Sequence, residues 1–363
     1  MIAAALLLAS STLCHFTPVT VTSGVTDRVL DGCGGANTDN LLWNLDRADS
    51  LSALDGHASA HATGKGAVVY VCDVGVMAAH DEFARDNGSA VIAGIETGKA
   101  SCAGGNDVLE PCWTGDGNLL LFSHGTAVAS VVAGKNVGIA PDAKIVAVRI
   151  IGDETVWVKG MEAIIKHAFA AGTPPFQTAI INISGGVAFS AVPKFEAVMR
   201  KMIEGVDADG NPDPNGKRFL FVAAAGNTGQ CVSEADRTVA VYPGVLGPMI
   251  DGLVTVGGLD RTNSLWSGSC FGSAVEVLAP AEDVFVASVS AKDRYRYQPE
   301  FFNSGTSYAT PYVSGMAARM LEVDPTLTPR QLEERLKASP SVVIGLPVPV
   351  DPAPVPDRRR AVR

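Results

Sequence analysis

Six short apolar runs do most to limit what this chain can become. AVVYV (67–71), AKIVAVRII (143–151), TAIINI (178–183), RFLFVAAA (218–225), GLVTVGG (252–258) and AVEVLAP (274–280) are rich in β-branched residues. Most are continuous rather than alternating. A strand with one wet face alternates polar and apolar residues, whereas a continuous run fits a strand buried on both faces. Helical patterns fall between some of them, as in GTAVASVVAG (125–134) and KGMEAIIKHAFAAG (159–172). Strand–helix alternation predicts crossover units and a parallel α/β sheet covered on both sides. Hydrophobic residues make up 47% of the 363 residues, enough for a large core and too many for a disordered chain. Aromatics are only 6%, so close helix–sheet contacts built from Ala, Gly and Val are expected.

The ends read differently. MIAAALLLASSTLC opens the chain with an apolar run too short to span a bilayer. It fits a secretory signal over residues 1–16, although no Lys or Arg precedes the run; a buried N-terminal helix is the alternative. Residues 17–39 form an N-terminal extension. From residue 339 to 363 the chain is Pro-rich and aperiodic, which predicts an extended or disordered tail. The net charge of −10 argues against nucleic-acid binding, which needs clustered Lys and Arg. Seven Cys are present and none has the paired spacing of a zinc site. Cys102 and Cys112 flank a Gly/Asp-rich loop and could close it as a disulfide in an oxidising compartment, or remain buried thiols. Cys72, at the end of an apolar run, reads as a buried thiol.

In open parallel sheets, functional groups gather beyond the carboxyl ends of the strands. Asp73 follows the first run, Ser184-Gly185-Gly186 the third and Gly226-Asn227 the fourth. His124, in SHGTAVAS, stands at a helix start. Of the other histidines, His57 and His61 fall in a polar loop and His167 in an amphipathic helix. His80, beside two acids, reads as a surface or supporting residue. FFNSGTSYATPYVSG (301–315) places Ser304, Thr306 and Ser307 just before a small-residue helix. Such hydroxyls are ordinary helix caps, but one could also be a nucleophile. A serine nucleophile needs a base, an acid to orient that base, and a donor for the oxyanion.

The motifs DVGV around Asp73, SHGTAVAS around His124, AAAGN ending at Asn227 and SGTSYATP around Ser307 together resemble the signatures of subtilisin-like serine proteases. Their order excludes chymotrypsin-like and α/β-hydrolase assignments. The resemblance covers residues 40–338 and implies a three-layer subtilisin-like peptidase domain. It is nearest to the proteinase K-like branch, to whose mature start LLWNLDRADS (41–50) is similar. It implies Ser307 as nucleophile, His124 as base, Asp73 as orienter and Asn227 as oxyanion donor. Polypeptide substrate would lie extended between two backbone walls, Ser184–Gly186 and Thr155–Val158 with Val156 and Trp157, over a pocket floor ending in Ala225 and Gly226. A disulfide between Cys231 and Cys270 is implied. The chemistry requires no cofactor. Calcium is common in the family, and Glu276 and Asp260 are the candidate ligands, with surface carboxylates as the plainer reading.

Several positions depart from the family pattern. Val74 stands where a Ser or Thr usually follows the catalytic acid. NISGG lacks the large residue that the family usually has between the positions of Ser184 and Gly185. The long spacing between motifs implies surface insertions, one near 96–120. Secreted relatives carry a prodomain, for which residues 17–39 leave no room, so the chain either folds unaided or starts further upstream. The expected function is a secreted, extracellular, monomeric serine endopeptidase with no membrane or nucleic-acid partner. The alternative is a subtilisin-like binding module that has lost activity.

Overall fold

The structure is a computed structural model, and it describes residues 20–22, 25–29, 42–49, 54, 57–97, 108–109, 124–188, 192–230, 241–289, 295–296, 304–339 and 343–344. Every apolar run contributes a strand to one sheet. The strands are β1 (Val68–Asp73), β2 (Val91–Glu96), β3 (Lys144–Arg149), β4 (Thr178–Ile183), β5 (Arg218–Ala224), β6 (Leu253–Leu259), β7 (Val277–Pro280) and β8 (Val343–Ile344). Their order across the sheet is β8-β7-β6-β5-β4-β1-β3-β2. All pairings are parallel except that of β8, which runs antiparallel to β7 at one edge. No expected run covered β2 or β8, the two edge strands; β2 alternates in burial because one of its sides has no neighbouring strand. The strand order turns back on itself around β1, which brings the carboxyl ends of β1, β3, β4 and β5 together.

Among the described residues, five helices cover the sheet: α1 (His124–Ala133), α2 (Glu154–Phe169), α3 (Pro193–Glu204), α4 (Thr306–Val323) and α5 (Pro329–Ala338). Successive residues of β1 face opposite sides. Val69 and Val71 belong to one buried cluster with residues of α1, α4 and α5. Val68, Tyr70 and Cys72 belong to a second, with Trp157 and Met161 of α2 and Phe195 and Met199 of α3. The result is three layers, as expected. The small residues of α1 and α4 have a structural reason. α1 is buried from Gly125 to Ala133, and a Cβ on Gly315 of α4 would lie 2.6 Å from Ile139 Cβ. Side chains of ordinary size would hold these segments apart.

Three expectations need correction. The second helix begins at Glu154, not near residue 159, because the Asp153 side chain accepts from the N–H groups of Thr155 and Val156 and caps it. The stretch 17–39 is not simply an appendage: Thr20–Thr22 pairs with Val25–Val29, which pairs with His57–Ala60. Likewise Val343–Ile344, inside the expected tail, is the edge strand β8. Residues 1–16 lie outside the described residues.

Candidate active site

Asp73 is the last residue of β1, and its side chain is 4% exposed. A buried carboxylate must be hydrogen-bonded to remain charged. Its Oδ1 accepts the Val74 N–H at 2.7 Å, and His124 Nδ1 lies 3.0 Å from Oδ1 and 2.8 Å from Oδ2. The Val74 amide therefore supplies a donor at the position where a hydroxyl side chain is missing. With Nδ1 committed as donor to the carboxylate, Nε2 of a neutral His124 carries the lone pair. His124 opens α1 and its side chain is 31% exposed, so the ring reaches the surface. Close backbone approach sets this geometry: a Cβ on Gly125 would lie 2.1 Å from Gly75 O and 3.1 Å from Asp73 Oδ1.

Ser307 lies in the first turn of α4 and donates its hydroxyl hydrogen to the Ser184 carbonyl at 2.8 Å. The neighbouring Tyr308 ring is 6.2 Å from that of His124, centroid to centroid. The helix cap is Gly305, which makes no side-chain cap bond. The hydroxyls thus do not serve as an N-cap. Thr306 instead binds Asn227: its N–H and its Oγ1 both donate to Asn227 Oδ1 at 2.9 Å. The same Oγ1 accepts the Gly226 N–H at 3.2 Å. Two donors on Oδ1 fix the amide orientation and turn the Asn227 NH₂ group away from Thr306, while the residue itself is exposed. Ser304 supports the loop by accepting the Asp283 N–H at 3.0 Å.

A cavity of about 260 Å³ runs beside the pair. Its lining includes Cys72, Ile150, Ile151, Gly152 and Trp157 on one side and Ser184, Gly185 and Gly186 on the other. The wall at Ser184 is anchored from below, since Asn182 Nδ2 donates to Ser184 Oγ and Ser314 of α4 donates to Asn182 Oδ1, both at 2.9 Å. Opposite it the structure departs from expectation. Thr155–Val158 is the first turn of α2 and offers no extended edge. Trp157 still reaches the cavity, while Val156 packs on Gly152. The segment that lines the cavity there is Ile150–Gly152, which directly follows β3 and bends at Gly152. That position was a readable signal, since it is where a strand ends. Ala225 and Gly226 are buried at the end of β5, where Gly226 faces Val241 and the Cys270 sulfur.

Other expected residues fall elsewhere. Cys270 has a free thiol, 3.1 Å from Thr228 Oγ1, rather than a disulfide. Its expected partner Cys231 lies outside the described residues, as do Cys102 and Cys112. Cys72 is a free buried thiol, as anticipated. Burial and then the nearby Asp73 charge push its pKa well above the usual thiol range. Glu276 does not stand as a metal ligand: Lys337 Nζ lies 2.5 Å from its Oε1, and its Oε2 accepts the Thr255 N–H. Asp260 closes a turn by accepting from Thr262 and Ser264. Among the described residues, no group of three or more His, Cys, Asp or Glu is placed to hold a metal. His80 is buried, not on the surface, and its Nδ1 accepts the Glu82 N–H.

A seven-strand parallel sheet with one antiparallel edge strand, helices on both faces and an acid–imidazole pair at the strand ends defines a narrow class of α/β proteins. The chain belongs to the subtilase family: the model of that family matches residues 64–343. It is 32% identical over 316 residues to subtilisin-like protease 3 of Pseudogymnoascus destructans, covering 83% of this chain and 66% of that protein. A cuticle-degrading serine protease of Arthrobotrys oligospora is 29% identical, over 78% of this chain and 59% of its own length. An extracellular serine proteinase of a Thermus species is 28% identical, over 83% and 62%. The chain thus spans about two thirds or less of the length of these relatives. The crystal structure of a cold-adapted subtilisin-like serine proteinase superposes with a TM-score of 0.60 at 27% identity, covering 82% of this chain and 90% of that one.

Proposed function

We propose that this chain is a secreted serine endopeptidase that cuts polypeptides bound in extended form. The observation that carries the reading is the buried Asp73 carboxylate paired through Nδ1 with a His124 ring that reaches the surface. That pairing leaves Nε2 as a base. For attack, the Ser307 side chain turns from the Ser184 carbonyl toward Nε2 and passes its proton there as Oγ bonds to the scissile carbonyl carbon. Asp73 holds the ring in the required tautomer and stabilises the imidazolium that forms. The oxyanion is held by the Asn227 NH₂ group, which Thr306 keeps turned outward. His124 then returns the proton to the leaving amine, and water releases the acyl group by the reverse sequence. Substrate backbone lies between Ile150–Gly152 and Ser184–Gly186. Secretion is supported by the names of relatives such as the Thermus extracellular proteinase. Among the described residues, no helix is long and apolar enough to cross a membrane.

A fluorophosphonate probe tests the assignment. Wild-type protein is expected to be labelled, and Ser307→Ala to abolish labelling. Labelling that survives the substitution would show that another residue is the nucleophile. A wild-type protein that neither labels nor hydrolyses casein would favour a binding module on the same fold.

A further inference from the structure

Arg149 ends β3 and is the register partner of Asp73 on β1. Its side chain is 1% exposed, among the largest fully buried side chains of the molecule. A guanidinium so placed needs an explanation, because an apolar side chain of similar volume generally serves stability as well or better. What an apolar residue lacks is a fork of directed N–H groups. Here the fork engages the Glu96 carboxylate and the Val74 carbonyl. Nη1 pairs with the Glu96 carboxylate at 2.5 Å, and Glu96 is in turn the register partner of Arg149 on β2. Nε donates to the Val74 carbonyl at 2.8 Å.

We propose that Arg149 is a positioning residue for the Asp73–His124 pair, acting through the Val74–Gly75 turn. Val74 is gripped at both ends: its carbonyl by Arg149 and its N–H by Asp73 Oδ1. The N–H bond orients the carboxylate, so whatever fixes the Val74 peptide fixes Asp73. Gly75 continues the turn at φ +124°, against the same guanidinium, where a Cβ would lie 3.0 Å from Arg149 Nη2. Its carbonyl is the atom against which Gly125 of α1 closes. Two residues on, the Met77 N–H donates to Thr126 Oγ1 at 2.8 Å. One turn therefore carries both the acid and the start of the helix that presents His124. Val74 has no hydroxyl with which to brace itself, and the cation behind it supplies the constraint. Glu96, whose side chain is 32% exposed, keeps the cation in place from the sheet edge.

The inference rests on Asp73 and His124 being the catalytic pair, so its test needs a readout that does not depend on turnover. The low-field proton resonance of His124 Nδ1–H provides one, because it reports the Asp73 hydrogen bond in any folded sample. Full-length wild type, Arg149→Lys and Arg149→Met are compared by this resonance, by kcat and KM on a peptide amide, and by thermal unfolding. Lysine keeps the charge beside Glu96 but loses the Nε–H fork. The expected result is a resonance broadened or lost in folded Arg149→Lys. Its kcat should be about 10- to 100-fold lower with KM little changed, as expected when a reacting group shifts by up to about 1 Å. Arg149→Met should be lower still. If wild type shows no hydrolysis, the functional reading fails, yet loss of the resonance in Arg149→Lys still supports the positioning role. An unchanged resonance and kcat in the variants, with only the melting temperature moved, overturns it. So does loss of cooperative folding in both variants, which would make Arg149 a folding residue.

Discussion

Gly125→Ala tests whether backbone contact alone sets the Asp73–His124 geometry. Helix propensity and packing predict opposite outcomes for it. Alanine in place of glycine inside a helix ordinarily stabilises by about 1 kcal/mol. Here the new Cβ would stand 2.1 Å from Gly75 O, where ordinary contact begins at 3.4 Å. The start of α1 must therefore retreat by about 1.3 Å or the Gly75 turn must yield, and forced overpacking of this kind costs about 1–3 kcal/mol. Gly75 belongs to the turn that orients Asp73, and Gly125 follows His124 directly. Either movement lengthens the 2.8 Å bond between His124 Nδ1 and Asp73 Oδ2. A misplacement of about 1 Å in a catalytic group costs about 100-fold in rate, or about 2.7 kcal/mol of barrier. The assay is kcat/KM on a chromogenic peptide amide beside the rate of fluorophosphonate labelling, with thermal unfolding in parallel. Expected are a lower melting temperature and a loss of about 100-fold in both rates. A variant as active as wild type and more stable would refute the reasoning, since it would mean that Gly75 and Gly125 do not meet as described.

Two further outcomes follow from the same contacts. Thr306→Val removes one of two donors to Asn227 Oδ1 and leaves the buried Gly226 N–H without its acceptor. It should cost about 1–3 kcal/mol in denaturant unfolding and lower kcat about 10-fold while KM stays near wild type, against about 10²–10³ for outright loss of an oxyanion donor. His167 is half-buried beside Tyr70, whose hydroxyl is 3.0 Å from Nδ1, and desolvation lowers its pKa from 6.5. A depressed folded-state value means its contribution to stability is present above pH 6.5 and is lost as pH falls through the lower value. The melting temperature should decline as pH falls from 6.5 through the lower folded-state value, and His167→Gln should flatten that part of the curve.

Much of the fold was legible because burial on both faces writes itself as continuous apolar sequence. Thr178–Ile183 coincides with its run to the residue. The candidate site was legible in part because a parallel sheet puts chemistry where strands end: Asp73 closes β1 and Asn227 follows β5, whereas His124 opens α1. What failed was information carried by single caps and by distant partners. Asp153 starts α2 early and so turns an expected substrate wall into a helix. Glu276 looks like a surface carboxylate until Lys337 arrives from α5 to pair with it. Cys270 suits a disulfide in sequence but packs against Thr228 as a thiol. Arg149 was visible as a charge inside an apolar run, but nothing local says that its target is the carbonyl beyond Asp73.

With Ser307 as the proposed nucleophile, its bond to the Ser184 carbonyl would amount to a form of latency. A serine hydroxyl has one hydrogen to give, and here it is spent on the wall where an extended peptide would place its own amide. A peptide that takes over that carbonyl releases the hydroxyl at the moment a target arrives. A small reagent with no amide to offer must instead compete with an intact hydrogen bond. On the proposed reading, such a resting state would discriminate by occupancy before any side-chain pocket is consulted.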